Sequence, residues 1–294
     1  MSKKVPISVL IPTKDEELNI RQCLESVKWA DEIAIIDSHS TDKTLEIAKE
    51  YTDKIYQFRW SGRYPKKKNW ALENIPISHE WVLIPDADER ISRKLAAEIK
   101  DVVENGSRYA GYIVRYQYWF LGRLIKHGDP VRKLIFFRHK LGNFEKLEDE
   151  HIKTNADVEV HEHPVIDGKI GSFKGVVLHH DERPLYFYLD RHNRYSTWEA
   201  ELLFRQKYIK SSDKKIEARA LGNIAEFRRL LKNIFLYLPF KPLVYFIYSY
   251  IVRFGFLDGY PGLCYNICKS IYAYQIGLKL HELKLKKGYK EQQK

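Results

Sequence analysis

Trp81-Val82-Leu83-Ile84-Pro85-Asp86-Ala87-Asp88 reads as a short buried strand running into two carboxylates one residue apart. Side chains alternate along a strand, so residues i and i+2 point the same way and can grip one cation. In an open α/β sheet, ligands bind at the carboxyl ends of the strands. Hard oxygen ligands suit Mg²⁺ or Mn²⁺, and Mg²⁺ is usually held by one or two carboxylates plus substrate phosphates. The stretch therefore points to a nucleotide diphosphate site on a sheet edge. The same aspartates also fit a plainer role, capping a helix predicted over Ile91–Val103, for which Ser92 is an equally good cap.

Upstream, the chain has the rhythm of repeated βα units. Ile7–Ile11 is a short β-branched run closed by Pro12-Thr13, and a helical pattern follows with apolar residues at Leu18, Cys23, Leu24 and Val27. Glu32–Asp37 is a second predicted strand, Thr44–Glu50 a helix, Ile55–Phe58 a third strand, Asn69–Glu73 a helix and Glu80–Pro85 the fourth strand. Strands alternating with helices imply a mostly parallel sheet flanked by helices. Thr13 with Asp15, Asp37, and Asp86 with Asp88 then fall at strand ends on one edge, where they can converge on one ligand. Asp37 is placed to accept from a base or ribose, or simply to cap its turn. Lys66-Lys67-Lys68 with Arg63 faces phosphates or forms a solvated surface. Neither G-x-G-x-x-G nor G-x-x-x-x-G-K-[ST] occurs at these strand ends, which removes support for a dinucleotide or P-loop reading.

Charge divides the chain. Residues 205–294 carry 18 Lys/Arg against 6 Asp/Glu, whereas the first 204 carry 32 against 33, so the net +11 belongs to the tail. A domain at 1–204 and a basic, aromatic helical extension at 205–294 are expected, with the extension meeting an anionic surface. Within it, Ile234–Val252 is apolar but broken by Pro239, Lys241 and Pro242. Its clean run, Leu243–Val252, is too short for the ~20 residues of a spanning helix and suits one lying among lipid headgroups or packed in a core. Three cysteines are too few for a disulfide framework and suggest a reducing compartment. Cys264 and Cys268 lie four apart on a predicted helix and suit packing. The start, Met1-Ser2-Lys3-Lys4, leads into a strand with no long apolar region, so no secretory signal is expected.

Several segments together resemble a known family: Val9–Glu16, Trp29–Ile33, Ile36–Thr44 and Asp86–Arg90, followed by Gly62 through Asn69, Val160-His161-Glu162, Leu178-His179 and Asn193-Arg194-Tyr195-Ser196. In order and spacing they resemble family 2 glycosyltransferases of the GT-A fold, within them the bacterial lipopolysaccharide-core β-glucosyltransferase group. The likeness spans roughly residues 5–200 and departs at His39, where that group usually carries Gly. Phe254–Gly259 resembles a segment in the tails of related membrane-associated glycosyltransferases. The resemblance implies that Thr13, Asp15 and Asp37 line a uridine pocket and that Lys68 lies near the nucleotide. It makes Asp86 and Asp88 an Asp-x-Asp metal motif, with Asp88 the direct ligand, and Glu162 the general base. His179 would complete the coordination of Mg²⁺ or Mn²⁺, as a C-terminal histidine does in some GT-A enzymes.

The expected activity is inverting transfer of a sugar, glucose foremost, from a UDP-sugar to a saccharide or lipid-linked acceptor such as lipopolysaccharide core. Inversion needs one base opposite the leaving group and no carboxylate nucleophile. The expected location is cytoplasmic, peripheral on the inner face of the membrane. His161, His163, His179 and His180 also allow a zinc hydrolase or ordinary hydrogen-bonded loop histidines. A sugar nucleotidyltransferase shares the architecture but should show a Gly-rich first loop, and Ile11–Lys14 has no glycine. A non-enzymatic membrane or RNA module would rest on the basic tail, yet no RNA-binding motif accompanies it, so no nucleic-acid partner is expected.

Overall fold

A computed structural model describes residues 4–61, 64–128, 131–145, 164–208 and 240–292. The chain separates into two compact units, one formed chiefly by residues up to 184, the other by residues from 185 onward together with 127–129.

Among the described residues the first unit is built on a nine-stranded sheet. Its strands are β1 (Val5–Thr13), β2 (Ala30–Asp37), β3 (Ile55–Gln57), β4 (Trp81–Leu83), β5 (Glu89–Ile91), β6 (Gly111–Phe120), β7 (Arg123–Ile125), β8 (Arg132–Arg138) and β11 (Ile170–His179). The order is β3-β2-β1-β4-β8-β6-β11-β5, with β7 beside β6, and a small separate pair joins β9 (Gly142–Phe144) to β10 (Pro164–Ile166). The strands β3, β2, β1, β4, β6 and β11 share one direction, and β8, β5 and β7 run against them. All four expected βα strands form, and the sheet is mostly parallel.

Alternation along the strands explains why the sheet is covered on both faces. Ile7, Val9 and Ile11 of β1 enter one core with Ile33 and Ile35 of β2 and Trp81 and Leu83 of β4. The intervening Leu10, Ala34, Ile36 and Val82 enter a second core on the opposite face. Helices α1 (Ile20–Val27), α2 (Thr44–Lys49) and α4 (Arg93–Asn105) contribute Ile20, Cys23, Leu24, Val27, Ala48, Leu95 and Ile99 to the first core. Helix α3 (Lys67–Asn74) contributes Ala71 to the second. Each such aliphatic side chain stabilises the fold by ~1.5–3 kcal/mol, which is why the β-branched runs survive as two-faced strands. At Gly175 on β11, strand and helix meet closely: a Cβ there would lie 2.5 Å from the backbone of Leu95 on α4.

Two expectations change. The strand at Trp81 stops at Leu83, and residues Asp86 to Glu89 form a turn closed by Glu89 N–H donating to Asp86 O (2.9 Å), so the two aspartates are not strand neighbours on one face. The chain turns there because β5 pairs antiparallel with β11 instead of continuing β4. Ser92 caps α4 by accepting from Leu95 N–H at 3.2 Å, which takes the capping role away from the aspartates.

The second unit is helical. Among the described residues it comprises α5 (Leu185–Tyr208), α6 (Lys241–Phe246), a π-helical turn at Ile247–Val252, a 3₁₀ turn at Gly255–Asp258 and the long α7 (Gly259–Gln292). The change of charge at 204/205 falls inside α5, so the composition marks where the basic surface begins, whereas packing divides the chain at 184/185. Among the described residues no helix is long and apolar enough to cross a membrane. Buried Asp258 anchors this unit's loop by accepting from His127 N–H (2.8 Å) and pairing with its Nδ1 (2.9 Å).

Candidate active site

Strand β1 has β2 on one side and β4 on the other, so the order of connection reverses between β1 and β4. Crevices at the carboxyl ends of strands flanking such a switch are where open α/β sheets bind ligands. Thr13 and Asp37 are register partners at the ends of β1 and β2, both buried, with Thr13 Oγ1 donating to Asp37 Oδ1 at 3.1 Å. Asp37 Oδ2 also accepts from the backbone of Ser40 at 2.8 Å, which folds the loop after β2 back over the strand end. Asp15 Oδ1 accepts from Thr41 N–H at 2.7 Å, and Lys14 donates to His39 O at 2.7 Å, tying that loop to β1. His39 has φ +58°, in the left-handed region that glycine occupies without a Cβ penalty. His39 therefore holds a turn conformation that glycine adopts more readily.

The two aspartates face different partners. Asp86 pairs with Lys68 at 2.9 Å and with Lys133 of β8 at 3.8 Å. Burial pushes its carboxyl up, but the two lysines outweigh this and hold it at about 2. Asp88, nearly buried, lies 3.2 Å from His179 Nδ1 at the end of β11 and 3.8 Å from Arg183. Asp88, Glu89 and His179 offer ligand atoms all within 4.8 Å of one another. Carboxylate oxygens with one imidazole suit Mn²⁺ or Mg²⁺, so the residues fit the divalent cation that the sequence implies.

Within that trio Glu89 has other duties. Its Oε2 accepts from Asp86 N–H (3.1 Å) and Tyr116 OH (3.0 Å), and Lys133 donates to its Oε1 at 3.3 Å. Burial raises its carboxyl and Lys133 pulls it back. Glu89 thus holds the turn and Lys133, leaving Asp88 and His179 as the better-placed ligands. His180 faces away, toward Glu182 at 3.4 Å, and burial followed by Arg90 lowers its imidazole. The described histidines therefore supply one member to the cluster, not the pair a zinc site would draw on.

Thr13, Asp37, Lys68, Asp86, Asp88 and His179 gather at this edge, and Asp15 lies in the loop beside it. Glu162, His161 and His163 lie outside the described residues, as do Gly62 and Arg63. Sequence reasoning missed Lys133, Tyr116, Glu89 and a rim formed by Glu16, Asn19 and Arg183. Arg183 pairs with Asp181 at 2.7 Å and Glu16 at 3.2 Å, and Asn19 donates to Glu16 at 2.7 Å. Burial, then Asp88, lifts the Glu16 carboxyl to about 7. Asp181-Glu182-Arg183 begins two residues after the strand ending in His179, so the strand-end rule was the signal available for it.

A mixed sheet with carboxylates and lysines beside its switch point is an arrangement suited to a phosphate-bearing ligand and a divalent cation. The sequence pattern described as "Glycosyl transferase family 2" matches residues 8–158, just over half the chain, and the protein belongs to that family. It is 26% identical over 96% of its length to the lipopolysaccharide core biosynthesis glycosyltransferase LpsC of Rhizobium meliloti, covering 94% of that protein. An uncharacterized glycosyltransferase of Rickettsia typhi is 28% identical over 95% of this chain and 88% of its own. The fold is shared with a mannosyltransferase of Pyrobaculum calidifontis solved with GDP-mannose and Mn²⁺ (TM-score 0.50, 16% identity, 95% of this chain and 88% of that one).

Proposed function

We propose that this glycosyltransferase is inverting and divalent-metal dependent, and that it moves glucose or a close relative from a UDP-sugar to a lipopolysaccharide core or lipid-linked saccharide. The observation that carries the reading is the placement of Asp88 against His179 at 3.2 Å beside the switch point, with Lys68 and Lys133 flanking Asp86. Thr13, Asp15 and Asp37 take the uridine end, where Asp37 is a buried acceptor. Asp88 and His179 hold the cation, with Asp86 beside them. When bound, the cation offsets charge on the departing diphosphate. Lys68 and Lys133 add positive charge to the same side of the site. Glu162 takes the proton of the acceptor hydroxyl as its oxygen bonds to the anomeric carbon and the bond to UDP breaks.

The acceptor class is supported by the similarity to LpsC across nearly the whole chain. A peripheral seat on an anionic inner leaflet is supported by the basic tail and by exposed apolar side chains at Phe240, Leu243, Ile251, Val252 and Leu257. The test is a donor panel of UDP-glucose, UDP-galactose and GDP-mannose with Mn²⁺ and membrane glycolipids, read by mass spectrometry. Hexose addition from a UDP-sugar is expected. Consumption of GDP-mannose alone reassigns the donor, and no transfer from any donor overturns the reading.

A further inference from the structure

Helices α5 and α7 leave a cavity of about 400 Å³ between them in the second unit. Its walls are Tyr186, Tyr188, His192 and Tyr272, with the polar side chains of Asn193 and Gln275. Seams between two packed helices are ordinarily filled by aliphatic side chains in ridges and grooves. Here rings and amides join the aliphatic Leu189 and Ile271 in the lining, and the space is large enough for a small molecule, within the usual ~300–1,000 Å³ of ligand sites.

The rings are held in place from outside the cavity. Tyr272 OH donates to Glu199 at 2.7 Å, and His192 Nδ1 lies 2.8 Å from Tyr188 O. His192 sits 4.0 Å from the Tyr188 ring and edge-on to Tyr272 at 5.6 Å. The amide of Asn193 is oriented too. Lys279 donates to its backbone O and its Oδ1, both at 2.7 Å, and an ammonium is a donor only. The carbonyl end of the amide therefore faces Lys279, and its NH₂ points elsewhere as a fixed donor. Tyr186, 69% exposed, stands at the mouth.

This chemistry selects among ligands. The amide oxygens of Asn193 and Gln275 already accept from Lys279 and Ser196, and an acyl chain would offer their NH₂ ends no acceptor, at a cost of ~1–3 kcal/mol for each group left unsatisfied. A phosphate would meet the carboxylate of Asp190, whose Arg194 partner at 3.1 Å is already committed, while Lys279 is turned onto Asn193, Ser196 and Thr197. A pyranose offers an apolar C–H face to rings and hydroxyls to amides, matching both halves of the wall. Pre-set rings and donors lose little entropy on binding. Relatives align across this helical unit, although the family pattern ends at residue 158.

We propose that this cavity is a saccharide-binding subsite taking one or two sugar rings of the acceptor. The proposal rests on the saccharide-acceptor reading above. The test is saturation-transfer NMR on the full-length protein with deacylated lipopolysaccharide core oligosaccharide, in saturating UDP and Mn²⁺ so that the donor site is filled. Wild type should show saturation of sugar protons, and Tyr186→Ala should weaken binding about tenfold. In transfer assays Tyr186→Ala should raise the acceptor KM about tenfold without a matching fall in kcat. Because Tyr186 is exposed, its loss is not a folding probe. Asn193→Leu, accepted only if its thermal midpoint matches wild type, should act in the same direction. Unchanged binding and KM in Tyr186→Ala, no sugar saturation in wild type, or displacement of the sugar signal by a dodecyl chain each overturn the proposal. A wild type that binds the oligosaccharide but transfers no sugar fails the enzymatic reading alone.

Discussion

Gly175→Ala tests how the acid cluster is held. The residue is on β11, four positions before His179, and does not have a positive φ, so only space is at issue. A methyl there would lie 2.5 Å from Leu95 Cα and N and 2.7 Å from Leu95 Cβ. Ordinary contact begins at 3.4 Å, so β11 and α4 must part by roughly 1 Å in an interior packed as densely as a crystal. Overpacking costs ~1–3 kcal/mol, and two helix-backbone atoms that cannot rotate aside place this case near ~3. At ~2–4 °C per kcal/mol the midpoint should fall by ~6–12 °C. Five of the six tryptophans, Trp29, Trp60, Trp70, Trp81 and Trp119, lie in the sheet unit, so in a Trp198→Phe background tryptophan fluorescence follows its unfolding. His179 pairs with Glu89 across the β11–β5 ladder, so transfer activity should fall too. Leu95→Ala in the same background should not rescue, because the nearest atoms are backbone. Gly277→Ala, with nothing within 4 Å in α7, is the control and should be neutral or gain up to ~1 kcal/mol. A Gly175→Ala midpoint within ~2 °C of wild type would refute the argument.

Asp88→Asn should abolish transfer with Mn²⁺ supplied while leaving the thermal midpoint in place; wild-type turnover would remove Asp88 from the metal site. Glu162→Gln should lower kcat by ~10²–10⁴ with UDP affinity unchanged, and a loss confined to UDP binding would argue against a base. Combined Leu243→Ser, Val252→Ser and Leu257→Ser, all at exposed positions, should release the protein from phosphatidylglycerol vesicles, and unchanged co-sedimentation would favour a membrane contact elsewhere. Glu32 is buried, which raises its carboxyl, but Lys54, Ser8 and Ser78 hold it at about 2 against 4.5 unfolded. That lowered value stabilises the fold fully above pH ~4.5 and is lost as pH falls toward 2. The urea-midpoint gap between wild type and Glu32→Gln should therefore close over that window, and a gap that widens would reverse the sign.

The parallel half of the sheet was legible because burial on both faces writes β-branched runs such as Val9-Leu10-Ile11 and Ile33-Ala34-Ile35-Ile36 directly into the chain. The adjacency of Thr13 and Asp37 at the ends of β1 and β2 was legible by the same rule, since strand ends in a parallel sheet share an edge. Strands β6, β8 and β11 were not, because they carry Arg115, Lys133 and Lys174 among their apolar residues and their partners are distant in sequence. Lys133 was invisible for that reason: an isolated lysine in an unassigned segment gives no hint that β8 will lie against β4. The helical unit was legible as helix but not in its extent, because charge composition and packing change at different residues.

Asp-x-Asp looked in the sequence like one device because strand alternation would aim both carboxylates at one point. The turn at Asp86 to Glu89 separates them, and the surroundings then give them opposite work. Asp86, held at about 2 between Lys68 and Lys133, stays ionised across neutral pH and keeps both lysines beside the turn. Asp88 is left to His179 at 3.2 Å, with Arg183 close by at 3.8 Å. Glu89 makes the division possible by bonding the turn's own N–H, a tyrosine hydroxyl and Lys133 at once. A third carboxylate next to two others would ordinarily add repulsion; here it is the tie that lets the first two be used separately.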